Sequence, residues 1–79
     1  MKAKITVTLK TGVHDPQGEA VKGALSHMGF NNIADVRVGK YIEIDLTDFS
    51  AGEAKSEVGL MCKKLLANPV IESYRFEIT

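Results

Sequence analysis

The sequence predicts an α+β fold, a four-stranded antiparallel sheet with two helices on one of its faces. Three observations predict it. Four short segments alternate apolar and polar residues with a period of two. Two longer segments repeat their apolar residues at helical spacing, each with its own start and stop signals. The two kinds alternate in the order β-α-β-β-α-β, and every element has one apolar side that must be covered.

The first strand runs from Lys4 to Lys10. Ile5, Val7 and Leu9 point one way, and Lys4, Thr6, Thr8 and Lys10 point the other, as on a half-buried strand. Gly12 breaks it. Asp15-Pro16 then starts a helix: the aspartate can accept from free N–H groups of the first turn, and a proline at the first helical position loses no bond. Val21, Ala24, Leu25 and Met28 form its stripe, and Gly29 suits the left-handed residue that closes it. Gly18 and Gly23 each weaken this helix by up to about 1 kcal/mol relative to Ala. A close approach to the sheet or to another chain would explain them.

Ile33–Val38 and Tyr41–Leu46 read as two strands joined in a tight hairpin at Gly39-Lys40, with Gly39 at positive φ. Ser50-Ala51-Gly52-Glu53 has capping-box spacing. Ala54, Val58, Met61, Cys62 and Leu65 continue as one helical face, ended by Asn68-Pro69. Tyr74, Phe76 and Ile78 are the inner side of the last strand. This is the ferredoxin-like split βαβ arrangement, and right-handed crossovers give it the strand order 4-1-3-2. The uncovered sheet face then carries Thr6, Thr8, Arg37, Glu43, Asp45, Ser73 and Arg75, either solvated or in contact with another subunit.

Residues 1–79 are expected to form one domain with one core. A chain this short buries roughly 60% of its unfolded surface, so its stability should lean on oligomerisation or a partner. Cys62 is the only cysteine, which rules out an internal disulfide and fits a reducing compartment. Ten basic and ten acidic residues cancel, whereas nucleic-acid and anionic-membrane binders usually carry a basic excess. No apolar run approaches the roughly 20 residues of a membrane span, so a cytoplasmic location is expected.

Catalytic and ligand motifs are missing from the sequence. His14 and His27 have no metal-ligand spacing with each other or with Cys62. Cys62 lies on an apolar stripe, where a free cysteine packs as a small hydrophobe rather than acting as a nucleophile. Gly12 and Gly18 are isolated and make no phosphate-binding loop. The outward residues of the first strand lack the aromatics on which RNA-binding sheets stack bases, and Tyr41 is the one aromatic placed to serve there. No cofactor is expected in this chain.

Turn and cap chemistry accounts for Asp15, Pro16, Gly39, Asn68 and Pro69 but not for the strings around them. Those strings are Leu9-Lys10 with Gly12-Val13, Asp15-Pro16-Gln17-Gly18, Leu25 through Phe30, Val36-Arg37-Val38-Gly39-Lys40, and Met61 through Tyr74. In this order, over nearly the whole chain, they resemble PurS, the small-subunit family of phosphoribosylformylglycinamidine (FGAM) synthase. The resemblance implies a role in de novo purine synthesis, in a ligase complex that uses ATP and glutamine. A glutaminase subunit there releases ammonia, and a large synthetase subunit, which would hold the ATP and Mg, adds it to formylglycinamide ribonucleotide. The small subunit is implied to be a dimer or higher oligomer without catalytic residues, bridging the two enzymes and supporting ammonia transfer.

Interface residues are expected where loops and edges collect contacts: Asp15, Gln17, Arg37, Gly39, Lys40, Asn68, Glu72 and Tyr74. The rival from another class is an ACT-like regulatory domain of the same element order, binding a small molecule between paired subunits. A ligand-induced thermal shift of the isolated protein would distinguish it.

Overall fold

A computed structural model describes residues 1–79. Strand β1 (Lys2–Leu9) is followed by helix α1 (Pro16–His27), strand β2 (Lys40–Asp45), helix α2 (Ala51–Met61) with a π-helical turn (Cys62–Leu66), and strand β3 (Glu72–Ile78). The local signals work where they were expected. Asp15 caps α1 through its side chain, Pro16 opens the helix, and Ser50 accepts from the Glu53 N–H to cap α2. Gly29, at φ +97°, closes α1 in a Schellman arrangement: its N–H donates to the Ser26 carbonyl and the Phe30 N–H to Leu25.

The sheet has three strands, not four. Its order is β2-β1-β3, with β1 in the middle and antiparallel to both neighbours. Ile5 faces Ile42 on one side and Phe76 on the other. The expected four-stranded order 4-1-3-2 is therefore not formed, because the strand expected at residues 33–38 is missing from the sheet. Residues 33–38 have strand-like alternation but no strand beside them, and a strand needs a partner for its backbone groups. No hairpin returns at Gly39-Lys40, and Gly39 is not at positive φ. Gly39 is required for another reason, since a Cβ there would sit 2.6 Å from the Val7 carbonyl oxygen.

One helix, not two, covers the inner sheet face. Ala3, Ile5 and Val7 of β1 meet Ala54, Val58 and Cys62 of α2, with Leu46 and Ala67 completing the buried set. Ile42, Ile44, Tyr74, Phe76 and Ile78 flank it half-buried. Leu65 does not join this face as expected. In the π turn the Ala67 N–H reaches back to the Cys62 carbonyl at 2.9 Å, one residue further than in an α-helix. The extra residue turns Leu66 and Ala67 toward the core and Leu65 outward.

Helix α1 and the segment after it form an arm that leaves the sheet. Residues 30–38 run back along α1, where the Lys22 ammonium donates to the Ala34 carbonyl at 3.0 Å. Leu25, Ile33, Val36 and Val38 are half-buried between the two layers of the arm. Its other apolar residues are not covered: Val21 is 41%, Phe30 56% and Met28 71% exposed. The molecule therefore measures 50 × 24 × 15 Å, with a radius of gyration of 16.1 Å. A compact chain of this length would have roughly 12 Å.

On the outer sheet face the charges answer one another across the strands. Lys4 lies between Glu43 and Glu77, and Lys2 approaches Glu43 at 3.7 Å and Asp45 at 3.8 Å. Tyr41 donates its hydroxyl to Glu43, the main cause of its raised pKa. Arg37, expected on this face, is at the base of the arm instead.

Candidate functional site

The base of the arm gathers most of the residues singled out in the sequence. Asp15, only 5% exposed, uses both carboxylate oxygens. One accepts from the Gly18 N–H at 2.9 Å, capping α1, and the other from the Val38 N–H at 2.8 Å, holding the returning segment. Gly18 lies so close to the Val36 carbonyl that no side chain fits between them. Arg37 completes the clasp, donating to the Val13 carbonyl at 2.8 Å and to the Lys10 carbonyl at 3.2 Å. Asp-Pro-Gln-Gly and Val-Arg-Val-Gly-Lys are thus the two halves of one joint.

A second cluster continues the joint to the corner before β3. Lys40 pairs with Glu72 at 3.6 Å, and the other Glu72 oxygen accepts from the Asn68 N–H at 2.6 Å. Asn68 accepts from Val70, Ile71 and Glu72 and so folds the corner on itself. Lys10 ties both clusters together, its ammonium donating to the Pro69 carbonyl at 2.7 Å and its N–H to the Ile71 carbonyl. Between the clusters lies an open cleft of about 260 Å³. Asp15, Gln17, Gly39, Lys40 and Glu72 line it over an apolar floor that includes Val7 and Leu9.

Arg37 and Asn68 belong to the same network without lining the cleft. Tyr74 does not belong to it: it is on the inner sheet face, half-buried and stacked on Phe76 with ring centroids 6.5 Å apart. Lys10 and Gly18 were not among the expected interface residues, yet they join the two clusters and the two layers of the arm. The sequence signals for Gly18 were its cost to the helix and its place in the string Asp15-Pro16-Gln17-Gly18.

The cleft offers shape and fixed polar groups rather than reacting ones. Its buried carboxylate is fully occupied by N–H donors. The hydrogen bond from Val38, followed by that from Gly18, holds the Asp15 pKa below the ordinary aspartate value. A carboxyl with a lowered native pKa adds stability above its unfolded pKa and loses it as pH falls through the native one. The arm should therefore stay clasped from neutral pH down to the ordinary aspartate range and loosen only below it. Amide exchange of Gly18 and Val38 followed against pH checks this, and Asp15→Asn should remove the acid step. Cys62 is fully buried in the core, and burial pushes its thiol pKa up, away from thiolate. No three His, Cys, Asp or Glu side chains converge as a metal site would require.

Comparison with known proteins identifies the family. The family model for PurS, phosphoribosylformylglycinamidine (FGAM) synthase, matches residues 2–79. The chain belongs to the PurS family. It is 49% identical to the Bacillus subtilis synthase subunit PurS over 77 residues, covering 98% of this chain and 90% of the relative. The solved Methanocaldococcus jannaschii PurS, described as one of the subunits of formylglycinamide ribonucleotide amidotransferase in the purine biosynthetic pathway, is 43% identical. It superposes with a TM-score of 0.83 over 96% of this chain and 92% of its own. The PurLQS structure from Thermotoga maritima contains a chain 30% identical, with a TM-score of 0.85 over 96% of this chain and 93% of that one. The three strands, two helices and arm are therefore the family's architecture.

Proposed function

We propose that this chain is the small, non-catalytic subunit of an FGAM synthase, joining a glutaminase subunit to an ATP-dependent synthetase subunit in purine biosynthesis. The observation that carries the proposal is a clasped arm whose apolar side and basal cleft have nothing in the chain to cover them. The whole complex would convert formylglycinamide ribonucleotide, glutamine and ATP to FGAM, glutamate, ADP and phosphate. ATP and Mg would bind the synthetase subunit. The contribution of this chain would be geometric, since ammonia handed between two active sites must be kept from water and the partners held in register. No helix is long and apolar enough to cross a membrane, and the work would be done in the cytoplasm.

The first partner is a second copy of the chain. Its accessible surface of 5685 Å² exceeds by about 1,000 Å² the roughly 4,700 Å² of a compact protein of this mass. That excess is close to what one partner buries in a standard interface, about 800 Å². A dimer in which each arm lies against the other copy would cover Val21, Met28 and Phe30 and give residues 33–38 a strand to pair with. An amino-acid sensor of the same element order is not favoured, because membership of the PurS family accounts for the strings that line the cleft. The test is assembly. Purified glutaminase and synthetase subunits should co-elute as one complex only when this chain is added, and co-elution without it would remove the bridging role.

A further inference from the structure

The π turn seats Leu66 and Ala67 against the core and leaves Leu65 outside it. As a regular helix, α2 would carry Leu65 back toward the sheet beside Cys62. The widened turn leaves it 83% exposed, forfeiting the burial that normally favours a leucine. Such turns recur at functional positions. Val70, 78% exposed, stands on the corner that Asn68, Glu72 and the Lys10 ammonium hold rigid. Two large aliphatic side chains are thus presented on a hydrogen-bonded backbone, so a partner that binds them has side-chain rotamers to order but little main chain.

Charge gives the partner a chemistry. From Leu60 to Ile71 the sequence contains Lys63 and Lys64 and no acidic residue. Both lysines are exposed, and neither joins any of the ion pairs of the chain. Lys10 adds a third cation at the Pro69 carbonyl. A second copy docking through this same surface about a two-fold axis would bring both pairs of lysines into one interface with no carboxylate of residues 60–71 to answer them.

We propose that Leu65 and Val70 are the anchors, and Lys63 and Lys64 the rim, of a docking surface for another protein subunit of the synthase, one presenting an apolar recess edged by carboxylates. The inference rests on the bridging role proposed above. It separates two surfaces of one small chain: the arm for a second copy, the π turn and corner for an enzyme subunit.

The test titrates the full chain into the purified synthetase and glutaminase subunits of the same organism. Leu65→Ser/Val70→Ser should weaken binding to one of them at least tenfold while leaving the thermal midpoint and self-association unchanged. Lys63→Glu/Lys64→Glu should also weaken it and flatten its dependence on salt. Wild-type affinity in both double variants would overturn the inference while sparing the bridging role. So would a change in self-association with partner binding intact, which would give the surface to a second copy. Failure of the wild-type chain to bind either subunit would overturn both.

Discussion

Gly18→Ala is expected to destabilise the chain and unseat the arm, although alanine is the better helix former. In an unobstructed helix the change would stabilise by up to about 1 kcal/mol. At position 18 the new Cβ would overlap the Val36 carbonyl oxygen and press on the Asp15 carboxylate 3.0 Å away. A backbone carbonyl cannot turn aside as a flexible side chain can, and overpacking of this kind costs typically 1–3 kcal/mol, sometimes more. The clash should win. Gly23→Ala provides the control in the same helix, because a Cβ there meets nothing within 4 Å. Chemical denaturation should therefore show opposite signs, with Gly18→Ala lowering the midpoint and Gly23→Ala leaving it unchanged or raising it. Equal shifts in one direction would mean that Gly18 does not hold the two layers of the arm together.

Ile5→Ala is expected to cost the most of any single truncation in the sheet. Ile5 has no exposed surface and lies on the central strand, flanked by Ile42 and Phe76 and facing the buried side of α2. Truncation of a buried isoleucine removes its transfer energy and leaves a cavity, together about 2–5 kcal/mol. For an ordinary small protein, at about 0.05–0.15 kcal/mol per residue, that is a large share of total stability. With only ten residues buried, this core has little reserve. The urea midpoint should fall far enough that the isolated variant is partly unfolded at 37 °C. Leu65→Ala, at a side chain 83% exposed, should stay within about 0.5 kcal/mol of wild type. A similar loss at both positions would contradict the outward placement of Leu65.

The contrast between those two leucine-sized residues shows where sequence patterns reach and where they stop. Alternation identified β1, β2 and β3 with their inner faces, and Asp15-Pro16, Gly29 and Ser50 marked helix ends, because those signals act within a few residues. Residues 33–38 alternate equally well but form no strand. Strand formation requires a neighbour, and periodicity cannot say whether one is within reach. The π turn has no periodic signature, so Leu65 counted as core until the one-residue slip was visible. Gly39 has the local signature of a turn, but it is required because it passes the Val7 carbonyl, a contact made across more than thirty residues.

The site was legible as strings before it was legible as a site. Asp15, Gln17, Gly39, Lys40 and Glu72 come together only once β1 has brought the ends of α1, β2 and β3 side by side. Lys10, just past the end of that strand, belonged to one of those strings, but nothing local showed that it would bond to the Pro69 and Ile71 carbonyls and accept from Arg37. Tyr74 was included with them and belongs instead to the core face.

If this chain bridges the two enzymes without performing their reaction, turnover in the three-subunit mixture shows it most directly. With glutamine as the nitrogen donor, FGAM formation should require the chain, rise to a plateau at stoichiometric addition, and be absent when the chain is assayed alone. Full glutamine-dependent turnover by the glutaminase and synthetase subunits without the chain would contradict the account.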